Sequence, residues 1–260
     1  MATFPTVSDA TDSTGNHLRL GIDIGGTGMK AAVVDIATGA VVSERARIAT
    51  PKPATPTAMA EVVGQLVAHH GWTGSVGVAF PGVVHNGVVH SAANVDPSWI
   101  EVDADATFSA ATGLEVHMVN DADAAGLAEM RWGAGRGRDG VVIMLTFGTG
   151  IGSGLFLDGA LVPNTELGHV ELDGFDAEQR AAASARKRDG ISWKEWATRV
   201  DRYLHHIEML FSPDLFIVGG GVSKTADKWV PRLTVDTEVV AAQLLNNAGI
   251  AGAALVAHRG

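Results

Sequence analysis

The chain has 260 residues, 46% hydrophobic and 18% charged, which is enough for one large or two modest domains with cores of their own and too apolar for a chain that stays disordered. Nineteen Lys and Arg against 29 Asp and Glu leave a formal charge of −10, which argues against a nucleic-acid or membrane-surface binder because such proteins need a net basic field. The absence of cysteine excludes disulfides, thiolate catalysis, iron–sulfur clusters and sulfur-built zinc sites, and allows a reducing, cytoplasmic home.

Residues 1–17, rich in Ser, Thr and Asp, read as a frayed tail with no signal peptide. No run of about 18 apolar residues follows anywhere, so no helix is expected to span a bilayer. Leu18 to Val42 reads as a hairpin meander, with apolar runs on both sides of Gly25-Gly26-Thr27-Gly28 and a second turn at Thr38-Gly39. A Pro-rich connector leads to a helix over Thr57 to His70, then a strand at Val76 to Phe80 that ends in Pro81-Gly82. Val116 to Val119 is a short strand opening into the helix Asp121 to Arg131. The second half starts with an apolar strand, Val141 to Phe147, and repeats the opening of the chain: Ile24-Gly25 falls on Phe147-Gly148 and Asp35 on Asp158, an offset of 123 residues. A helix over Trp193 to Phe211, a strand at Leu215 to Val218 and an Ala-rich helix from Asn247 complete an α/β architecture. A glycine turn near the start of each half is what two lobes flanking a cleft would show. The expected division is 18–120 for a small lobe and 121–260 for a large one, with the terminal helix free to pack back on the small lobe.

The glycine turns carry the first chemical signal. Gly25, Gly26 and Gly28 lack Cβ atoms, so backbone N–H groups there can converge on an anion, with the Thr27 hydroxyl as a further donor and Lys30 as counter-charge. The spacing is not that of a P-loop, and a ligand-free hairpin is the plain alternative. Gly148-Thr149-Gly150, followed by Gly152 and Gly154, repeats the signal after a seven-residue strand. Gly219-Gly220-Gly221 can seat the far end of a nucleotide or phosphate polymer. Asp23 suits a hydrated Mg²⁺, which prefers carboxylate and phosphate oxygens, or simply caps the turn.

Asn120-Asp121 follows a strand and opens a helix, so Asp121 reads as a general base projecting from a strand end or as part of an N-cap. Glu166 and His169 suit a grip on adjacent hydroxyls of a polyol, one accepting and one donating, or form a metal pair. Gly82 and Asn94 can line the same pocket or form turns. Between Arg180 and Arg202 seven basic residues face three acids. A solvated helical face is the ordinary reading, yet Arg186, Lys187 and Arg188 are dense enough to receive a polyanion.

Leu20-Gly-Ile-Asp-Ile-Gly-Gly-Thr-Gly-Met-Lys30, Asn120-Asp121, the glycine run 148–154 and Glu166-Leu-Gly-His169, in that order, resemble the ROK sugar kinases of the actin-like ATPase and hexokinase superfamily. The likeness runs from Leu18 to Val256. It is nearer to the polyphosphate-using branch through Ala92 to Trp99, Ser192-Trp-Lys-Glu-Trp196, Leu210 to Lys224 and Gln243 to Gly249. The resemblance implies a two-lobed, ribonuclease H-like fold with a central cleft, a homodimer, and phosphoryl transfer from inorganic polyphosphate or ATP to the 6-hydroxyl of glucose, with mannose an open question. It makes Asp121 the catalytic base, Asn120 its neighbour on the sugar, Glu166 and His169 sugar-gripping residues, and the glycine turns phosphate motifs used with Mg²⁺. The Cys-rich zinc motif of many members is missing, so no structural zinc is expected. The third sugar-binding carboxylate is expected at Glu195 or Glu171. Alternatives are an ATP-only hexose or N-acyl-amino-sugar kinase and a non-catalytic sugar sensor; a DNA-binding repressor is disfavoured because fewer than twenty residues precede the first strand.

Overall fold

The computed structural model describes residues 17–93 and 95–257; the expected tail, apart from His17, and Asn94 lie outside the described residues. Two compact units make up the chain, one of residues 17–128 with 247–257 and the other of residues 129–246.

The first unit contains β1 (Leu18–Gly25), β2 (Gly28–Asp35), β3 (Ala40–Val41), β4 (Ala46–Ile48), α1 (Pro56–His69), β5 (Val76–Phe80), the small hairpin β6 (Val84–His85) and β7 (Val88–Val89), α2 (Ala104–Thr112), β8 (Val116–Asn120) and the start of α3 (Asp121–Trp132). Its sheet runs β3-β2-β1-β5-β8, with β4 also on β2; β1 and β2 are antiparallel, while β1, β5 and β8 are parallel. The second unit contains β9 (Val141–Phe147), β10 (Ile151–Leu157), β11 (Ala160–Val162), the hairpin β12 (Glu171–Leu172) and β13 (Phe175–Asp176), α4 (Glu178–Ala181), α5 (Ala183–Arg188), α6 (Trp193–Phe211), β14 (Leu215–Gly220) and β15 (Glu238–Ala241). Its sheet, β11-β10-β9-β14-β15, repeats the strand order and directions of the first. The chain ends in α7 (Ala248–Val256).

The offset of 123 residues holds at the strand starts, since Leu18 maps to Val141 and Gly28 to Ile151. The register slips by one: Gly25 pairs with Gly28 around a two-residue loop, whereas Phe147 pairs with Ile151 around residues 148–150. Gly152 and Gly154 therefore lie in β10 and not in the turn. The division between the units falls inside α3 after Ala128, later in the chain than the boundary expected between 120 and 121.

Local chemistry explains these elements. Thr55 caps α1, Pro56 fixes its first turn, and Met59, Val63, Leu66 and Val67 recur at helical spacing to form its buried face. That face joins Leu20, Ile22, Ile24, Val76, Val78 and Phe80 in one core. The opposite face of β1 and β5 presents Gly21 and Gly77, which are direct neighbours in the sheet. A Cβ on Gly77 would overlap the carbonyl oxygen of Ala253, and one on Gly21 that of Ile250, so these glycines let the α7 backbone lie directly on the sheet. The second core is aromatic: Phe147, Trp196 and Trp229 are fully buried, with ring centroids 5.0–5.8 Å apart at edge-on angles. α6 supplies Trp196, Val200, Tyr203, Leu204 and Ile207 from one face.

Candidate active site

In the first unit the parallel strands β1, β5 and β8 end on one edge, which brings together Gly25-Gly26-Thr27, Pro81-Gly82 and Asn120-Asp121. The carboxyl ends of parallel strands are where open α/β sheets bind ligands. Asn120 is buried; its Nδ2 donates to the Gly82 carbonyl at 3.1 Å, and its Oδ1 accepts from the N–H groups of Ala122 at 2.9 Å and Asp123 at 3.1 Å. Asn120 thus caps α3 and ties Gly82 to the helix start. Of residues 121–130 only Asp121 is not buried, and it stands in the first turn of α3.

Asp23, Lys30 and Arg47 form one cross-strand row over β1, β2 and β4. Lys30 Nζ lies 3.0 Å from Asp23 Oδ2, so the expected metal ligand and the expected phosphate counter-charge pair with each other. Arg47 was not anticipated. Its Nη2 donates to the Thr27 carbonyl at 2.9 Å, and its guanidinium covers Gly28, where a Cβ would come within 2.6 Å of Nε. Only strand pairing brings this arginine to the turn, and a single basic residue twenty positions away carries no sequence signal.

In the second unit the Gly148 N–H bonds to the Gly150 carbonyl at 2.9 Å. Ser184 holds the same turn from α5, its N–H on the Gly148 carbonyl at 3.0 Å and its hydroxyl on the Thr149 carbonyl at 2.6 Å. Gly220 pairs with Phe147 and has φ +79°, a conformation that favours glycine, which sets the Gly220-Gly221 turn beside Gly148. Among the described residues, the backbone N–H groups of Gly26, Thr27, Thr149 and Gly150 have no hydrogen-bond partner. These are donors suited to an anion.

Glu166 precedes a 3₁₀ turn, Leu167–His169. Ser153 Oγ accepts from the Leu167 N–H at 3.0 Å and donates to the Thr165 carbonyl at 2.6 Å, and Tyr203 donates to the Leu167 carbonyl at 3.1 Å. Burial pushes the Glu166 carboxyl up, with the Glu178 charge adding and the His169 charge opposing. For His169, burial acts to lower the pKa, but the Asp176 hydrogen bond at 3.2 Å and the charges of Glu178, Glu166 and Asp176 outweigh it, so the imidazole is raised. Glu178 acts on both groups and accepts from the Ile151 N–H at 2.9 Å.

Glu195, an expected sugar-binding carboxylate, is instead the third helical residue of α6, where its Oε2 accepts from the Ser192 N–H at 2.9 Å and hydroxyl at 2.7 Å. This capping box was written in the spacing Ser192-x-x-Glu195. Glu171 sits on the β12–β13 hairpin opposite Asp176. The acid whose charge bears on both Glu166 and His169 is Glu178. Arg186 stacks 3.9 Å over Trp193 and donates to the Ile191 carbonyl, and Arg188 pairs with Asp189 at 2.8 Å, whereas Lys187 is exposed on α5. No helix among the described residues is long and apolar enough to cross a membrane.

Two glycine-turn sheets of like topology, with an acid at a helix start in one and a Glu–His turn in the other, define a sugar-kinase class of protein. The ROK family signature matches residues 19–187, and the chain belongs to the ROK family. It is 49% identical to a polyphosphate glucokinase of Mycobacterium tuberculosis over 98% of this chain and 96% of that protein. Among solved structures, an inorganic polyphosphate/ATP-glucomannokinase from Arthrobacter sp. strain KM superposes with a TM-score of 0.89 at 54% identity, covering 93% of this chain and 98% of the other. A ROK glucokinase from Streptomyces griseus, in complex with glucose and AMPPNP, matches with a TM-score of 0.81 at 28% identity over 94% and 100% of the two chains. The fold is that of the actin-like, hexokinase-type ATPases.

Proposed function

We propose that this chain transfers the terminal phosphoryl group of inorganic polyphosphate to the 6-hydroxyl of glucose, giving glucose 6-phosphate, with ATP as a further donor. The observation that carries the reading is Asp121, the one acid left accessible at the start of a buried helix, in a chain about half identical to polyphosphate glucokinases over nearly its whole length.

In this reading Asp121 accepts the proton of the sugar hydroxyl as its oxygen attacks the terminal phosphorus and the bond to the leaving phosphate oxygen breaks. Glu166 and Glu178 accept from sugar hydroxyls, His169 donates, and Asn120 and Gly82 shape the sugar's surroundings. The free N–H groups of Gly26, Thr27, Thr149 and Gly150 take phosphoryl oxygens, with Gly25, Gly28, Gly148, Gly220 and Gly221 shaping the turns and Lys30 and Arg47 supplying positive charge. Asp23 is the residue that would hold Mg²⁺: one carboxylate with one oxygen outside the Lys30 pair fits an ion that keeps its waters and shares ligands with substrate phosphates. When bound, that ion neutralises phosphate charge. Arg186, Lys187 and Arg188, on the helix that fastens the second glycine turn, would attract the polymer. A homodimer and a cytoplasmic location accompany the reading, to be checked by sedimentation and cell fractionation.

The test is the rate of glucose 6-phosphate formation with polyphosphate and with ATP, side by side. Turnover with polyphosphate supports the proposal; turnover with ATP alone replaces it with an ATP-only hexokinase, and no turnover with either donor defeats it.

A further inference from the structure

Away from the glycine turns, the second unit carries a surface cavity of about 150 Å³ whose lining includes Arg180, Arg199, Arg202 and Asp173. Its lining holds three guanidiniums and one carboxylate, and a second carboxylate, Asp189, pairs with Arg199. Arg202 grips Asp173 through Nε at 2.6 Å and through Nη2, which leaves Nη1. Arg199 places only Nη1 on its partners, Asp189 at 2.6 Å and the Arg180 carbonyl at 3.3 Å, which leaves Nε and Nη2. Arg180 makes no ion pair among the described residues; its guanidinium carbon lies over the Phe175 ring, 3.8 Å from its centre.

Guanidinium is matched to phosphate because its planar fork presents paired donors at the spacing of two phosphoryl oxygens. A stacked guanidinium also keeps its N–H edge directed outward for such a ligand. α4 links this cavity to the candidate active site: Glu178 reaches the Ile151 N–H, and Arg180, two positions along and therefore on the far side of the helix, lines the cavity.

We propose that the Arg180–Arg199–Arg202 cavity is a second anion site that holds a phosphate group of a polyphosphate chain. The inference rests on the polyphosphate reading above and adds to it a place for phosphates distant from the one transferred. Such a site raises affinity for long chains by making the second contact intramolecular, and leaves a short donor unaffected.

The test compares the wild type with Arg180→Gln, which removes a charge without breaking an ion pair, and with Arg180→Gln/Arg202→Gln. KM is measured for long-chain polyphosphate and for tripolyphosphate, and both polyphosphates and orthophosphate are titrated calorimetrically without glucose. We expect the long-chain KM to rise about tenfold in the double variant, with an intermediate rise in Arg180→Gln and less than about twofold change with tripolyphosphate. An unchanged long-chain KM, or an equal rise with tripolyphosphate, overturns the proposal. Orthophosphate binding that is lost in Arg180→Gln while long-chain affinity stays constant assigns the cavity to the free ion and overturns the polymer reading. A wild type that makes no glucose 6-phosphate from polyphosphate defeats the proposed function instead, and the long-chain titration then decides the cavity: weaker binding in the variants supports it, and equal binding sinks it.

Discussion

The hydroxyl of Tyr203, buried on α6, donates to the carbonyl of Leu167 at 3.1 Å and so fixes the turn that carries Glu166 and His169. The phenol is fully enclosed, and burial drives its pKa far above the ordinary value, so it remains a donor at any working pH. Tyr203→Phe leaves a buried carbonyl without its partner, at a cost of about 1–3 kcal/mol. The turn should loosen and the KM for glucose rise several-fold, while the KM for the phosphate donor stays within about twofold. Steady-state kinetics with each substrate varied in turn distinguishes this from a general loss of stability, which would lower the amount of active enzyme and leave both KM values alone.

Asp121→Asn preserves size and keeps a polar group in the first turn of α3, yet cannot take a proton. Turnover should fall by orders of magnitude while glucose affinity stays within about tenfold, roughly 1.4 kcal/mol. Single-turnover rates and calorimetric glucose binding provide the check; near-normal turnover would remove Asp121 from the role of base.

The raised carboxyl of Glu166 predicts an acid limb in glucose binding. As pH falls through that raised value the group protonates and ceases to be a full acceptor, so the glucose KM should climb at a higher pH than an ordinary carboxylate, near 4.5, would produce. His169 has the opposite bearing on the fold. Its pKa is raised from 6.5, so its stabilising contribution is complete below 6.5 and is lost as pH rises through the raised value. Asp176→Asn removes the negative charge beside the imidazole and leaves only a neutral amide to accept at the 3.2 Å hydrogen bond, so the His169 titration should shift downward. Nuclear magnetic resonance of the imidazole in both proteins reads this directly.

Two glycines should respond in opposite directions to alanine. Gly64 lies inside α1, and a Cβ there would meet the Ala111 carbonyl oxygen at 3.5 Å, an ordinary contact. Gly64→Ala should therefore stabilise by about 0.5–1 kcal/mol through helix propensity. Gly77→Ala drives a methyl into the backbone of α7 and should destabilise by about 1–3 kcal/mol or more. Denaturant titrations of the two variants settle the comparison.

The parts of the fold that depend on local pattern were legible in the chain. The glycine turns announced where strands reverse, the repeat at 123 residues announced two like sheets, and Asn120-Asp121 announced a strand end opening into a helix. Of the two readings open for the Asn120-Asp121 pair, the cap falls to Asn120, and Asp121 beside it is half-buried. What stayed hidden depends on pairing between distant segments. Arg47 reaches the first turn only because β4 adds to β2 in the register Lys30 to Arg47. Glu178 meets Glu166 and His169 only once the β12–β13 hairpin has folded between them in sequence. Glu195 looked available because an acid beside a tryptophan gives no sign of its partner, although Ser192 three residues earlier did.

The glycine-lined contact between α7 and the first sheet has a consequence for synthesis on the ribosome. Strands made first remain without their cover until α7 has left the exit tunnel, so this half cannot mature before then, whereas residues 129–246 are contiguous and can fold earlier. A nascent chain of this protein therefore exposes one face of its opening strands until residues 248–256 are made, and a stop codon before them would abolish the first unit, not the second.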